Sequence, residues 1–190
     1  MGGTDADRAT RFQQIALPHL NAAHNLARWL TKNDFDAEDI VQEAYLRAFK
    51  YFHTFSGNNA RAWLLSIVRH ACYDWLREKR MLVTTPLGDD AELERIVEAA
   101  ASADQQVAAN PETTLLHRRD VELLNRLIEE LPPDYRLMLI LREMEDLSYR
   151  EIAEVAGVPI GTVMSRLARA RGLLLEAWKR HQGGGSGDGL

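Results

Sequence analysis

Apolar residues recur at three- and four-residue spacing along nearly the whole chain, and no stretch alternates as a half-buried strand does. Phe12, Ile15, Leu20, Ala23, Leu26, Ala27 and Leu30 form a first helical stripe, with Pro18 marking a kink or break. Asp36 reads as an N-cap, its carboxylate placed to accept from free backbone N–H groups. Ile40, Ala44, Ala48 and Phe52 follow at four-residue spacing and face a core. Asp39, Gln42, Glu43, Arg47 and Lys50 take the opposite face. After a Gly57-Asn58-Asn59 turn, a helix over residues 60–80 points Leu64, Ile67, Val68, Ala71 and Trp75 inward. Leu116, Val121, Leu124, Leu127 and Leu131 mark a further helix that Pro132-Pro133 ends, and another is predicted over 134–143.

This pattern predicts an all-α protein of two small helical domains, residues 12–81 and 114–181, joined by a flexible linker. The linker, 82–113, is acidic (Asp89, Asp90, Glu92, Glu94, Glu98, Asp104), rich in alanine and without aromatics, with a short helix expected near 91–101. Residues 1–11 and the Gly-rich 182–190 are expected to be disordered.

The last part of the chain is the most informative. Ser148 followed three residues on by Glu151 is a capping box that opens a short helix. Ala153 is small, as a close helix crossing requires, and Gly157 stands where the chain must turn. A second helix starts near Ile160. Val163, Leu167, Ala170 and Leu174 lie on one of its faces, and Thr162, Ser165, Arg166 and Arg169 on another. That is the layout of a helix-turn-helix whose second helix enters a DNA major groove. Arginine bridges guanine edges or holds phosphates, and short hydroxyls donate to phosphates.

The formal net charge of −5 argues against a nucleic-acid binder until its distribution is considered. From residue 160 to 181, Arg166, Arg169, Arg171, Lys179 and Arg180 face one acid, Glu176, so an acidic total covers a basic last helix. The lone thiol, Cys72, makes no internal disulfide and is read as a buried, inert group in a reducing compartment. The polar first ten residues do not form a secretory signal, and no apolar run is long enough to span a bilayer, so a cytoplasmic protein is expected. The histidines (His19, His24, His53, His70, His117, His181) lack metal-ligand spacing. No Gly-rich phosphate loop or nucleophile elbow is present. No enzyme activity, metal or cofactor is expected.

Read together, the two blocks resemble a known family. Residues 36–49 (DAEDIVQEAYLRAF) are similar to region 2.2 of the extracytoplasmic-function (ECF) sigma factors of the sigma-70 family. Residues 62–69 (AWLLSIVR) and 74–77 (DWLR) resemble regions 2.3 and 2.4. Asn110-Pro111-Glu112, Leu131-Pro132, 147–153 (LSYREIA) and 161–167 (GTVMSRL) resemble the entry to region 4 and region 4 itself. The resemblance implies a subunit that binds core RNA polymerase, through the β′ clamp helices and β flap, and directs it to promoter DNA. It implies polymerase contacts at Asp39, Gln42, Glu43 and Arg47. On periodicity alone that face reads as a solvated one with a Glu43–Arg47 pair, and the resemblance reverses that reading.

For the opened −10 strand the resemblance implies Asn58, Asn59, Arg61, Trp63, Arg69, His70, Tyr73, Arg77 and Arg80, cations for the backbone interleaved with flat rings for unstacked bases. Helical spacing also fits Trp63 and Trp75 as core. For the −35 duplex it implies Tyr149, Arg150, Thr162, Ser165, Arg166, Arg169 and Arg171. A membrane-bound anti-sigma factor is the further implied partner, and the acidic linker is implied to thread through polymerase. Two positions depart from the family pattern: His70, where Asn is common, and Met164, where Lys or Arg is frequent. The rival readings are a sigma-like mimic that binds a partner protein and a stand-alone helix-turn-helix regulator. The intact basic face weighs against the first, and the N-terminal block weighs against the second.

Overall fold

A computed structural model describes residues 5–57, 59–82 and 114–183; the acidic segment with its expected short helix, the Gly-rich tail and Asn58 lie outside the described residues. Among the described residues the chain is helical and has no strand. The helices are α1 (Asp5–Ala16), α2 (Leu20–Thr31), α3 (Asp34–Lys50) and α4 (Ala60–Leu82) in the first half. In the second half they are α5 (Thr114–Glu130), α6 (Pro133–Leu139), α7 (Tyr149–Ala156) and α8 (Ile160–Gly183). A 3₁₀ turn at Leu17–His19, carrying Pro18, joins α1 to α2 where the break was predicted.

Two local expectations are corrected. Residues from Asp5 are helical, so 1–11 is not wholly a disordered arm. Arg8 explains this: its guanidinium lies over the Phe49 ring and donates to the Phe49 and Lys50 carbonyls at the end of α3. Those carbonyls have no intrahelical partner, so a donor from another helix stabilises both elements. The N-cap of α3 is Asn33, not Asp36; the Asn33 side chain accepts from the Phe35 and Asp36 backbone N–H groups. Asp36 sits in the first turn, where its charge suits the helix dipole, and pairs with Lys79 at 3.2 Å.

The predicted helix over 134–143 is α6 followed by a π turn at Ile140–Met144. Leu137, Met138, Leu139, Ile140 and Leu141 are all buried, which a helix with one wet face does not allow. This segment is surrounded, and the wide turn swings Glu145 inward until it too is buried.

α2, α3 and α4 pack as a bundle around Leu26, Leu30, Ile40, Ala44, Leu65 and Val68. α1 caps it through Phe12, whose ring meets Tyr45, Phe49 and Phe52 edge-on. Leu20, placed in the first stripe by periodicity, is exposed. Among the α5 residues whose burial is described, Leu127 and Ile128 are buried, while Val121 and Leu124 are open.

The halves are not held apart. Leu137, Met138, Leu141, Ile152 and Val155 belong to the same buried cluster as α2 and α4. Arg136 ties the seam together. It is 3% exposed, and its guanidinium donates to the carbonyls of Ile128, Glu129 and Leu131 in its own half and of Trp29 and Leu30 across the seam.

Candidate nucleic-acid interface

The helix-turn-helix is built as its sequence requires. Ser148 Oγ accepts from the Glu151 N–H, and the Glu151 carboxylate accepts from the Ser148 N–H at 2.8 Å. Gly157 has φ +67°, a left-handed conformation that side-chain-bearing residues rarely adopt, and its N–H closes the end of α7 on the Ala153 carbonyl. α8 then buries Val163, Leu167 and Ala170. Ser165, Arg169, Met164 and the α7 residue Arg150 are exposed, and Thr162 is half-exposed.

Three of the expected duplex-reading arginines pair within the molecule, Arg150 with its helix neighbour Glu154 at 3.8 Å. Arg166 pairs with Asp134 at 3.0 Å and Arg171 with Glu143 at 2.7 Å. Tyr149 lies under the Arg142 guanidinium.

The α4 residues expected to hold an opened strand fall into two groups. Asn59 caps α4 through the Ala62 N–H and also donates to Glu151 Oε1 at 2.8 Å. Arg61 forms an ion pair with the buried Glu145. Arg69 donates to the Val155 carbonyl and lies over the Tyr73 ring. The Tyr73 hydroxyl donates to Asp134 Oδ1 at 2.6 Å, and burial together with that carboxylate pushes its phenol far above the usual range, so it stays a donor. These four face the C-terminal half.

His70 and Arg77 face solvent. The His70 Nδ1 lies 2.6 Å from the Ser66 carbonyl oxygen, and its Nε2 lies 3.5 Å from the Arg69 guanidinium. An Asn amide and an imidazole offer different donor and acceptor patterns, so the departure alters the pattern presented. Trp63 is half-buried and packs against Phe55, ring centroids 4.9 Å apart and tilted by 40°. Trp75 packs on the main core and carries Lys79 over its ring at 4.2 Å. Arg80 continues α4.

On α3, Asp39, Gln42 and Glu43 are exposed, and Arg47 pairs with both Glu43 and Asp74. Asp39, Glu43 and Arg47, with Asp36, line one side of a groove of about 180 Å3 whose other wall is α4, with Asp74, Trp75 and Glu78; Gln42 lies outside it. The α4 wall was missed from the sequence, although Asp74 and Glu78 at i and i+4 signal a shared face. Leu46, 72% exposed, and Phe35, 82% exposed, were missed too; Phe35 interrupts an otherwise polar run.

Comparison with known proteins agrees with this geometry. The description Sigma-70 region 2 matches residues 15–81, and Sigma-70, region 4 matches 122–174. The ECF RNA polymerase sigma-E factor of Escherichia coli K12 is 34% identical over 137 residues, covering 72% of this chain and 70% of that protein. The ECF RNA polymerase sigma factor SigE of Mycolicibacterium smegmatis is 28% identical over 170 residues, covering 90% of this chain and 62% of that protein. Among solved structures, the sigma factor RpoE of Bartonella quintana, in complex with the anti-sigma factor NepR, superposes with a TM-score of 0.63 at 29% identity. It covers 89% of this chain and 97% of its own. CnrH in complex with the cytosolic domain of CnrY shares the fold, with a TM-score of 0.60 at 22% identity over 92% and 94%.

Two sigma-70 regions in order on one helical chain define a sigma-type transcription factor. The chain belongs to the ECF sigma factors of the sigma-70 family and directs promoter-specific transcription initiation. None of the matched names carries a catalytic activity. Among the described residues no helix is long and apolar enough to cross a membrane, and no cluster of His, Cys, Asp and Glu could hold a metal ion.

Proposed function

We propose that this sigma factor reads the −35 element as duplex with α8, through Thr162, Ser165, Arg166, Arg169 and Arg171, with Tyr149 and Arg150 flanking. The exposed polar and basic strip over a buried Val163-Leu167-Ala170 face carries the reading. The α4 face (Asn59, Arg61, Trp63, Arg69, His70, Tyr73, Arg77, Arg80, with Asn58 before it) captures the opened −10 strand. The α3 face of Asp39, Gln42, Glu43 and Arg47 holds core polymerase. The α4 wall of its groove adds Asp74 and Glu78, so cationic side chains of the partner suit it. The acidic segment 82–113 threads through the polymerase between the two regions. Met164 leaves one phosphate contact unmade, which weakens binding to all sequences alike.

An anti-sigma factor is a further proposed partner, supported by the complex in which the Bartonella relative was solved. The family resemblance implies that this partner is membrane-bound, and that the sigma factor works in the cytoplasm.

The test is transcription in vitro with core polymerase on a fragment library, with and without this protein. Transcripts that appear only on addition, and that vanish with Arg169→Ala, support the assignment. No complex with core polymerase sinks it and favours a partner-binding mimic.

A further inference from the structure

The first three turns of α8 offer two kinds of surface to solvent. Val163, Leu167 and Ala170 turn inward. Thr162, Ser165 and Arg169 form a polar strip on the outer face. Ile160, Met164 and Ala168, at four-residue spacing, form a second strip alongside it, and this one is apolar. Ile160 is 47% exposed and Met164 53%. Between the strips lies Gly161, where an added Cβ would meet nothing within 4 Å. Packing inside the chain therefore does not call for glycine there, and glycine is the residue that lets a backbone approach a ligand closely. A single exposed apolar side chain needs no explanation. Two in successive turns, beside a bare glycine and on the face that carries Arg169, do need one.

The N-terminal residues of a recognition helix are the ones that meet base edges. Of the cations on this helix, Arg166 is held by Asp134 and Arg171 by Glu143. Ser165 donates its hydroxyl proton to the Thr162 carbonyl at 3.1 Å. The first two turns thus present carbon more than free donors. Among the groups lining the major groove, the C5 methyl of thymine is the apolar one. A thioether chain is unbranched and adapts its rotamers to such a contact. We infer that Met164, with Ile160 and Ala168 beside it, packs on a thymine methyl of the −35 duplex and is a specificity-determining residue of this chain. The inference rests on the proposed docking of α8 in the major groove. A phosphate contact given up at this position lowers affinity for every sequence alike, whereas a methyl contact is made to some sequences only. A thioether in place of a cation therefore lowers overall affinity and raises discrimination.

The experiment uses the full chain bound to core polymerase and a promoter duplex recovered by transcription from the fragment library. Each thymine of the −35 element is replaced singly by deoxyuridine, which removes the methyl and keeps every hydrogen-bonding group. Competition against the fluorescent parent duplex reads relative affinity. Burying one methyl contributes about fourfold to an equilibrium constant. The unsubstituted protein is expected to lose about that factor at one thymine and to change little at the others. Met164→Ala is expected to bind the parent duplex more weakly and to lose most of the sensitivity at that thymine. Met164 is exposed and alanine favours a helix, so the fold survives this change. Met164→Lys is expected to bind every duplex more tightly and to be equally insensitive. Comparing variants on the same pair of duplexes cancels any effect of deoxyuridine on the DNA itself.

Four results overturn the inference: a −35 element made only of G·C pairs, binding that ignores every methyl, a sensitivity that Met164→Ala retains in full, and a Met164→Ala chain whose only defect is in binding core polymerase, which would make the strip a protein-docking face. Arg169→Ala separates the two levels. If it weakens binding to every duplex while no methyl matters, α8 still reads the −35 element and only the methyl contact falls. If it leaves every duplex bound as before, the docking of α8 falls as well.

Discussion

Replacing Arg136 with leucine removes a buried guanidinium and five donated bonds while keeping an apolar stem of similar length. A hydrogen bond from a charged donor contributes about 1.5–3 kcal/mol net, and the five are not additive because they share one group. Burial opposes the charge, since desolvation holds the guanidinium below its ordinary pKa, and this offsets part of the gain. What decides the sign is the set of acceptors left behind. The carbonyls of Glu129 and Leu131 lie at and just past the end of α5 and those of Trp29 and Leu30 at the end of α2, where no intrahelical donor is available, whereas Ile128 keeps the Leu131 N–H. Each buried carbonyl left without a donor costs about 1–3 kcal/mol. Allowing for water entry at some of them, Arg136→Leu is expected to cost about 3–5 kcal/mol. In urea unfolding followed by circular dichroism, with a slope of about 2 kcal/mol/M, that is a midpoint shift of about 2 M. Arg136→Lys keeps the charge but gives up the planar fork, so it recovers about half the loss. A shift under about 0.5 M for the leucine variant would refute the reasoning, because the helix ends would then be satisfied without Arg136.

The remaining predictions concern the helix-turn-helix, the thiol and the DNA face. Ser148→Ala removes the cap of α7 and is expected to lower stability by about 1 kcal/mol, and Gly157→Ala by about 1–2 kcal/mol through its positive φ, both read as thermal midpoints. The Glu151 carboxyl is held below its ordinary pKa, first by the Ser148 hydroxyl and backbone N–H. A depressed folded pKa means that its stabilisation is complete above the unfolded value and is lost as pH falls through the folded one, so Glu151→Gln should flatten the acid limb of a stability–pH curve. Burial pushes the Cys72 thiol up to about 12, so alkylation at pH 8 should proceed only as fast as the protein unfolds; rapid labelling of the native chain would contradict this. Arg169→Ala should cost about 1–3 kcal/mol of promoter affinity if it meets a base, whereas Arg166→Ala should cost less, because Arg166 is already paired with Asp134 in its own half.

Much of this protein was legible one helix at a time. The capping box at Ser148 and Glu151, the turn at Gly157, the buried Val163-Leu167-Ala170 face and the Ile40-Ala44-Ala48 face are local facts, set by residue type and by the 3.6-residue period. Even the Glu43–Arg47 pair followed from spacing alone. The misses came where a choice between local options was settled from outside the helix. Asn33 and Asp36 are both capable caps, and Lys79 on α4 took the second. Residues 5–11 offer no apolar stripe, and Arg8 makes them helical by reaching the end of α3 forty-one residues away.

Periodicity reports that a face is buried, never against what. For that reason the sequence determined two helical units and their reading surfaces. Only the tertiary structure decided that the units close on one another, that Arg136 bridges the ends of α2 and α5, and that Asp134, Glu145 and Glu151 occupy residues assigned to DNA. A carboxylate on a helix surface carries no mark of its partner, because its pairing depends on which cation the packing brings within about 3 Å.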